Sequence, residues 1–557
     1  VALKEHIIDT DVLILGGGIA GLYAAIRAKN KPVDVVLVDK AFPGRSGNSL
    51  YASGAICGYQ AGDSLRDYLV DDLRTCFFLD DQEQAERVIE GMYACREEME
   101  SWGIEWVRDS EGKIIRKKGL GMLKSYNIHF SGGRRLMNVI RGEAVRRGTR
   151  ILDRIMITDL LTRDGEVVGA AGFHIRSGEF YCIKARSTIV ATGCFDAKGG
   201  QPQWNLTGDG VAAALRAGAE LRNMEHYDWS MGPARHFDRS SGCHVLLGHG
   251  AHLVNRFGER FIHKYLDRFG YPAEIGDRTP RNIFVYSIAQ EAAAGNGPIF
   301  IDCRHLPGHE IESIKNSIPH LHAAWVKAGL NIKKDLVEYT VVPHGTTATG
   351  GIRIDNFAGT SVPGLYCAGD AADRMWAGVN GLTGAIVSGC WAAESAVQRV
   401  LKPQNVALDG EQVGAIKEKI YSPLLGGTLK TREAISQVQN ILYQEIGIIR
   451  QAHRLEKAIA NIRAFRREAL PKICAADFHD LAKAHEVANI ADLIETVAAS
   501  SLFREETRYF NIREDFPKRD DVNWLKWVVV RREGGDLQLS TVDIPQDKVR
   551  IEEIDWV

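Results

Sequence analysis

Residues Asp11 to Lys40 constrain the fold more than any other stretch: DVLILGGGIAGLYAAIRAKNKPVDVVLVDK. Val12, Leu13, Ile14 and Leu15 form an apolar run that stops at glycine, the pattern of a strand buried on both faces of a parallel sheet. Gly16, Gly18 and Gly21 then give G-x-G-x-x-G, and Leu22, Ala24, Ala25 and Ala28 predict a helix packed closely on that strand. Val35 to Val38 predict a second strand, with Asp39 at its end, 18 positions after Gly21. Strand, glycines, helix, strand and acid together make a dinucleotide-binding unit. Gly16 permits the tight turn, Gly18 lets a pyrophosphate approach the backbone, and Gly21 lets helix and strand touch. The helix start, Ala20 included, faces the phosphates with its N–H groups and positive dipole end. Asp39, followed by Lys40, is placed to accept hydrogen bonds from the adenosine ribose.

A chain of 557 residues has room for two to four domains. Its 45% hydrophobic and 25% charged residues are those of an ordinary globular protein. A net charge of −2 gives no general electrostatic case for nucleic acid. No apolar run reaches the roughly 18 residues of a membrane span, and nothing near Val1 resembles a signal peptide. The ten cysteines are scattered and none forms C-x-x-C, so no zinc or iron–sulfur ligand pattern appears. They read as small buried apolar residues in a reducing, cytoplasmic setting.

Arg45 to Gly62, RSGNSLYASGAICGYQAG, leaves the second strand and is rich in Gly, Ser and Ala, so its backbone can approach a flat ligand. Asp67 to Trp102 reads as helical, and residues 151 to 185 as a hairpin or meander around Arg163-Asp164-Gly165-Glu166. Ser187 to Gly193, STIVATG, predicts a short strand ending at Ala191, Thr192 and Gly193. Thr207-Gly208-Asp209-Gly210 then opens an alanine-rich helix. Val362 to Asp370, VPGLYCAGD, repeats the turn–strand–Gly-Asp pattern, ending at Gly369 and Asp370. These pieces are expected to return to one cofactor site and to leave 226–339 as an inserted domain. The organisation that follows is 1–225 and 340–404 for the two parts of the cofactor domain, 226–339 for the insert, 405–514 for a helical domain and 515–557 for a polar tail. The helices are expected at Glu411–Ile420, Thr431–Ala460 and Ala488–Ser500, and a short tail strand at Leu525–Arg531. His226, His236, His244, His249, His252 and His263 crowd the insert, but no pair has zinc-motif spacing, and no metal site is expected.

The order of glycine fingerprint, ATG strand, LVNRFGERFIHKY, PHGTTATGGIRID, VPGLYCAGDAA and REETRYFNIREDFPKRDDVNWLK resembles the flavoprotein subunits of the succinate dehydrogenase and fumarate reductase superfamily. The resemblance covers nearly the whole chain. It implies an α/β fold with a two-part FAD-binding dinucleotide fold, an inserted α+β capping domain and a C-terminal helical domain. It also implies noncovalent FAD, because Arg45 to Asn48 holds no histidine for the covalent link. The adenosine end would lie on Gly16 to Gly21 and Asp39, and the isoalloxazine against Arg45, Ser46, Gly47, Ser53 and Gly54. Asp370 would hold the ribitol, and the helix starting near Thr383 and Gly384 would point at the flavin's N1–C2=O edge.

Within the superfamily, Arg45-Ser46-Gly47-Asn48 and Arg504 to Pro517 resemble the alpha chain of adenylylsulfate reductase. Other positions depart from its relatives. The run GVNGLTGAIV places Gly381 where fumarate reductases are read to carry a carboxylate-gripping arginine. Arg281 to Tyr286 ends in tyrosine where the proton-donating arginine is read, and Ser131 to Arg134 lacks the glutamate of adenylylsulfate reductases. The resemblance implies catalysis by His344, with Arg281 and Arg235 as anion clamps and Tyr286 beside them. It further implies a small-molecule substrate and an iron–sulfur, ferredoxin-like electron-transfer subunit. The reaction expected is adenylylsulfate-reductase-like. Reduction of an unsaturated or aryl carboxylate, and a stand-alone oxidase of the L-aspartate oxidase type, are the alternatives. A flavin-binding scaffold or a nicotinamide-linked enzyme is a further class, against which the single complete G-x-G-x-x-G argues.

Overall fold

The computed structural model describes residues 3–52, 54–119, 121–130, 132–198, 205–233, 244–342, 350–373, 381–403 and 406–554. Its main sheet is seven-stranded. The strand Glu5–Leu15 sits in the middle, parallel to Val35–Val38 on one side and to Phe180–Val190 on the other. Arg150–Leu152 extends the sheet beyond Val35–Val38, and Leu365–Cys367 adds in parallel beside the end of Phe180–Val190. Glu166–His174 and Ile155–Arg163 complete it as an antiparallel meander. Val12 to Leu15 and Val35 to Val38 are buried without a break, as expected of strands covered on both faces. The helix Ile19–Ala28 packs on the helix Gly381–Val400 at a distance set by glycine: a Cβ at Gly389 would press on the Ala20 carbonyl.

Between the two parts of this unit, Ser230–Pro233, Val337–Val342, Ile299–Asp302 and His252–Val254 form a four-stranded antiparallel sheet in that order. The helix Arg281–Ala293 packs on it. The expected fold class is thus the one observed, with the mixed sheet, an α+β insert and C-terminal helices.

Several element boundaries differ from the sequence reading. Asp67 to Trp102 is two helices, Leu65–Thr75 and Gln82–Ser101. Phe77 and Phe78 adopt positive φ between them, and the Asp81 carboxylate caps the second by accepting from Glu83 and Gln84 N–H. Thr431 to Ala460 breaks after Ile441–Ile446, where Gly447 takes φ +63° and Ile449–Arg450 leaves to pair with Ile512–Arg513. The long helix Phe478–Phe503 begins well before Ala488 and is capped by Asp477. The tail strand Lys526–Glu533 has a partner not expected from the sequence, Asp536–Asp543, joined through Gly534 and Gly535, both with positive φ. That hairpin pairs with Leu221–Arg222, which in turn pairs with Gly351–Ile352.

Candidate functional site

The three fingerprint glycines do different work. Gly16 takes φ +108°, and a Cβ there would overlap the Ala191 carbonyl; one at Gly21 would overlap the carbonyl of Gly16. Protein packing alone demands glycine at both. At Gly18 the nearest atom to a Cβ would be Ser49 Oγ at 3.6 Å, an ordinary contact, so the space in front of it belongs to a cleft. Gly47 is open in the same way, with no atom within 4 Å. Gly18 precedes the helix without a side-chain cap, and Ser49 Oγ accepts from Ile19 N–H at 3.1 Å.

The cleft spans about 900 Å³ of space, part of it open solvent. It brings together Gly16, Gly18, Ala20, Asp39, Lys40, Ser46, Gly47, Ala191, Thr192, Gly193, Asp209, Gly369 and Asp370. Asn48, Ser49, Asn205 and Ala385 also line it and were not singled out from the sequence. Asn48 Nδ2 donates to Asp370 Oδ2 at 3.2 Å, linking the first part of the cofactor unit to the second. An amide following a serine–glycine pair was a visible but weak signal.

Asp39 is engaged more than a ribose acceptor needs to be. Its Oδ2 accepts from Gly17 N–H and its Oδ1 from Ala41 N–H, both at 2.6 Å, so the carboxylate pins the glycine turn to the end of the second strand. Burial raises its pKa against these hydrogen bonds. Lys40 Nζ turns beneath the cleft to Thr207 Oγ1 at 2.7 Å, Asp209 Oδ2 at 2.7 Å and Glu486 Oε1 at 2.9 Å. Asn489 Nδ2 donates to Asp209 Oδ1 at 2.9 Å. Burial opposes the lysine's charge, but Asp209 and Glu486 outweigh it and its pKa is raised. Asp209 is lowered for the matching reason: burial raises it and Lys40 more than reverses that. Glu486 and Asn489 lie on the helix Phe478–Phe503, so the C-terminal helices buttress the cofactor cleft. Nothing local in the sequence marks that contact.

Other expected residues stand elsewhere. Arg45 is exposed and absent from the cleft lining; its N–H closes a turn onto Phe42. Gly54, with φ +86°, packs against the Phe130 carbonyl. Thr383 is fully buried and its Oγ1 accepts from Cys57 N–H at 2.8 Å, tying the Gly381–Val400 helix to the strand Ala55–Cys57; Gly384 is buried beside it. Ser53, Arg235 and His344 lie outside the described residues, as does His236.

In the insert, Arg281 opens its helix and reaches Asp228 Oδ2 at 2.6 Å, with the Phe510 ring 5.7 Å away. Burial works against its charge and Asp228 raises its pKa more. Tyr286 is packed edge-on to Tyr265 and Phe269, with the Arg268 guanidinium over its ring at 5.0 Å. Aromatic packing, not an open site, surrounds it. Among the described histidines of the insert, His226 lies against Glu225 at 3.3 Å, His249 meets Glu310 at 2.6 Å, and His252 meets Asp277 at 3.0 Å and stacks on His305 at 4.1 Å. Arg508 reaches the Phe77 carbonyl at 2.8 Å and so ties the segment after the long helix to the cofactor unit. Arg513 instead donates to Ser501 and Arg504 carbonyls of the long helix and the turn after it.

An FAD binding domain family model matches residues 11–387, and a fumarate reductase flavoprotein C-terminal model matches residues 435–555. One of the subunits of the fumarate reductase (CoM/CoB) of Methanothermobacter marburgensis is 26% identical, over 95% of this chain and 98% of that protein. L-aspartate oxidase of Streptomyces coelicolor is 28% identical, over 97% and 94%. Among solved structures, E. coli quinol fumarate reductase FrdA superposes with a TM-score of 0.87 at 23% identity, covering 99% of this chain and 98% of that one. Adenylylsulfate reductase from Archaeoglobus fulgidus does so with 0.86 at 21%, covering 99% and 98%. These two share its fold. With the cleft, the two family models and full-length relatives in agreement, the chain belongs to the succinate dehydrogenase and fumarate reductase flavoprotein superfamily and is an FAD-dependent oxidoreductase.

Proposed function

We propose that this chain is the catalytic subunit of a larger enzyme, which handles a small anionic substrate between the FAD-binding unit and the insert and exchanges electrons with a separate iron–sulfur subunit. The cleft fits FAD on its own geometry. Gly18 and Gly47 leave backbone open to it, and Thr192 Oγ1 is buried there without a hydrogen-bond partner, a polar atom that a nucleotide can satisfy. The Gly16–Gly21 turn and the helix behind it would hold the pyrophosphate, Asp39 the adenosine ribose, Asp370 the ribitol, and Ser46, Gly47 and Asn48 the flavin end. Bound FAD supplies two-electron exchange with a substrate and one-electron release to a carrier. With no histidine in Arg45–Asn48, attachment is noncovalent. Acid precipitation should leave all yellow colour in the supernatant, and flavin in the pellet would refute this.

The cysteine content carries the case for a partner. Ten scattered cysteines without C-x-x-C offer no cluster pattern, and eight of the nine described are buried, Cys474 being the other. Clusters taking single electrons would then sit on another chain. The relative whose name makes it one component of a fumarate reductase supports this.

For the substrate, adenylyl sulfate leads. The RSGN loop lines the cleft through Ser46, Gly47 and Asn48. The 504–517 segment resembles the same branch in sequence. Arg504 pairs with Glu225 at 2.7 Å and Arg508 with Glu506 at 2.6 Å, all fully buried, so those side chains hold the fold and leave substrate binding to others. A second reading, an unsaturated or aryl carboxylate, is supported by the relative named as a fumarate reductase subunit. The test is anaerobic reduction of the flavin followed by candidate acceptors. Reoxidation by adenylyl sulfate is expected. Reoxidation by fumarate at about 1–10³ per second would establish the second reading. Rapid reoxidation by air with stoichiometric peroxide would show a stand-alone oxidase instead.

A further inference from the structure

Behind the cofactor cleft, two cysteines that are 295 residues apart in the chain meet. Cys95, on the helix Gln82–Ser101, and Cys390, on the helix Gly381–Val400, place their sulfurs 3.7 Å apart. Arg27, from the Ile19–Ala28 helix, aims its guanidinium at both: Nε donates to Cys390 Sγ at 3.3 Å and Nη2 to Cys95 Sγ at 3.9 Å. Its Nη1 is held by Glu98 Oε1 at 3.0 Å. Cys95 and Cys390 are 3% and 6% exposed, while the Arg27 and Glu98 side chains over them are 21% and 37% exposed. The pair thus lies one side chain below the surface, within reach of a small oxidant.

We propose that Cys95 and Cys390 form a redox-modification site, oxidised by a small peroxide to a disulfide that crosslinks the two helices. Three features carry this. The sulfurs are in contact already, and closing to the bond length of about 2.05 Å asks for a shift well under the width of an atom. The guanidinium stabilises a thiolate, the reactive form. The hydrogen bond from Cys390 lowers the pKa of Cys95 against burial, with Arg27 adding to it, whereas that same contact and burial push Cys390 well up. This assigns the roles. Cys95 thiolate attacks the peroxide O–O bond, giving the sulfenic acid and, after protonation, one water. Cys390 thiol then attacks the sulfenic sulfur, forming S–S and releasing the second water. Two thiols are oxidised and one peroxide is reduced to two waters. In a reducing compartment such a bond is transient and thiol-reversible. Ala385, in the first turns of the Cys390 helix, lines the cofactor cleft, so the crosslink would anchor that helix to the outer layer.

The experiment uses the FAD-loaded protein. It is treated with hydrogen peroxide, its remaining thiols are alkylated, and it is digested without reductant for mass spectrometry. The expected result is one peptide joining Cys95 to Cys390, lighter than its two parts by two hydrogens and lost on adding dithiothreitol. Alkylation of both cysteines after treatment, or sulfinic acid at Cys95 without the crosslink, would overturn the proposal. In Cys390→Ser, which lacks the resolving thiol, dimedone should label Cys95 after peroxide. Absence of that label in folded variant would overturn the assigned roles.

Discussion

Beneath the cofactor cleft, Lys40 is enclosed by Asp209 at 2.7 Å and Glu486 at 2.9 Å, two carboxylates brought from other parts of the chain. In the insert, Arg281 reaches Asp228 at 2.6 Å at the head of a helix whose later residue, Tyr286, is enclosed by aromatic rings. The first arrangement uses charge to lock three segments under a site whose ligand contacts come from glycine backbone. The second pairs a buried cation with a buried carboxylate, Asp228, beside the Phe510 ring. The difference teaches that the cofactor cleft is specified by backbone geometry, whereas the insert's buried ion pair depends on single side chains delivered by separate segments.

Substitutions at the fingerprint glycines should have the largest effects. Gly16→Val should yield little folded protein: positive φ and a backbone overlap each cost about 1–3 kcal/mol, and the overlap with Ala191 has no flexible atom to move. Gly18→Val should fold and lose FAD, because only ligand space lies ahead of it. Circular dichroism and flavin content separate the two. A Gly18→Val protein with full flavin would show that the cleft is misassigned.

Next in size, His344→Ala should keep FAD and lose turnover by about 10²–10⁴-fold, the usual effect of removing a general acid or base. A kcat within a few-fold of wild type would make His344 structural.

Lys40→Met should destabilise the fold by about 3–5 kcal/mol, since it leaves the buried Asp209 without its cation, while Glu486 keeps Lys198 at 2.5 Å. The pH dependence sharpens this. Asp209, lowered in the folded state, contributes stability present above its unfolded pKa of about 3.9 and lost as pH falls through the folded value. Lys40, raised, contributes stability present below its unfolded pKa of about 10.4 and lost as pH rises through its folded value. In Lys40→Met the buried Asp209 favours its protonated form, so the deficit should narrow toward about pH 4. Denaturant melts at two pH values check it; a deficit independent of pH would contradict the triad.

Asp39→Asn should have the smallest effect. The amide oxygen can keep one of the two backbone hydrogen bonds and loses the other, a change of about 1–2 kcal/mol. Flavin affinity should fall about tenfold with the fold intact, as read by flavin titration of the apoprotein.

The legible parts of this molecule were those with local grammar. The strand Val12–Leu15, the glycines and Asp39 announce themselves within thirty residues, and the returning pieces at Ala191–Gly193 and Gly369–Asp370 carry the same strand-then-glycine pattern. Helix breaks were less legible, because Phe77 and Phe78 take positive φ without glycine, under tertiary packing. The Glu486 contact was illegible, as it joins residues 446 apart. Tyr286 was read as a site residue by position in a motif, but only packing reveals the rings of Tyr265 and Phe269 around it. Arg45 shows the reverse error: its loop does line the cleft, while the arginine itself points to solvent.

The proposal of a catalytic flavoprotein subunit whose clusters sit on another chain meets its sharpest test in native purification under anaerobic conditions. A second chain should co-elute, and the visible spectrum should combine flavin with broad iron–sulfur absorption, the iron remaining with the second chain when the two are separated. A single species with a pure flavin spectrum that turns over rapidly with oxygen would contradict it.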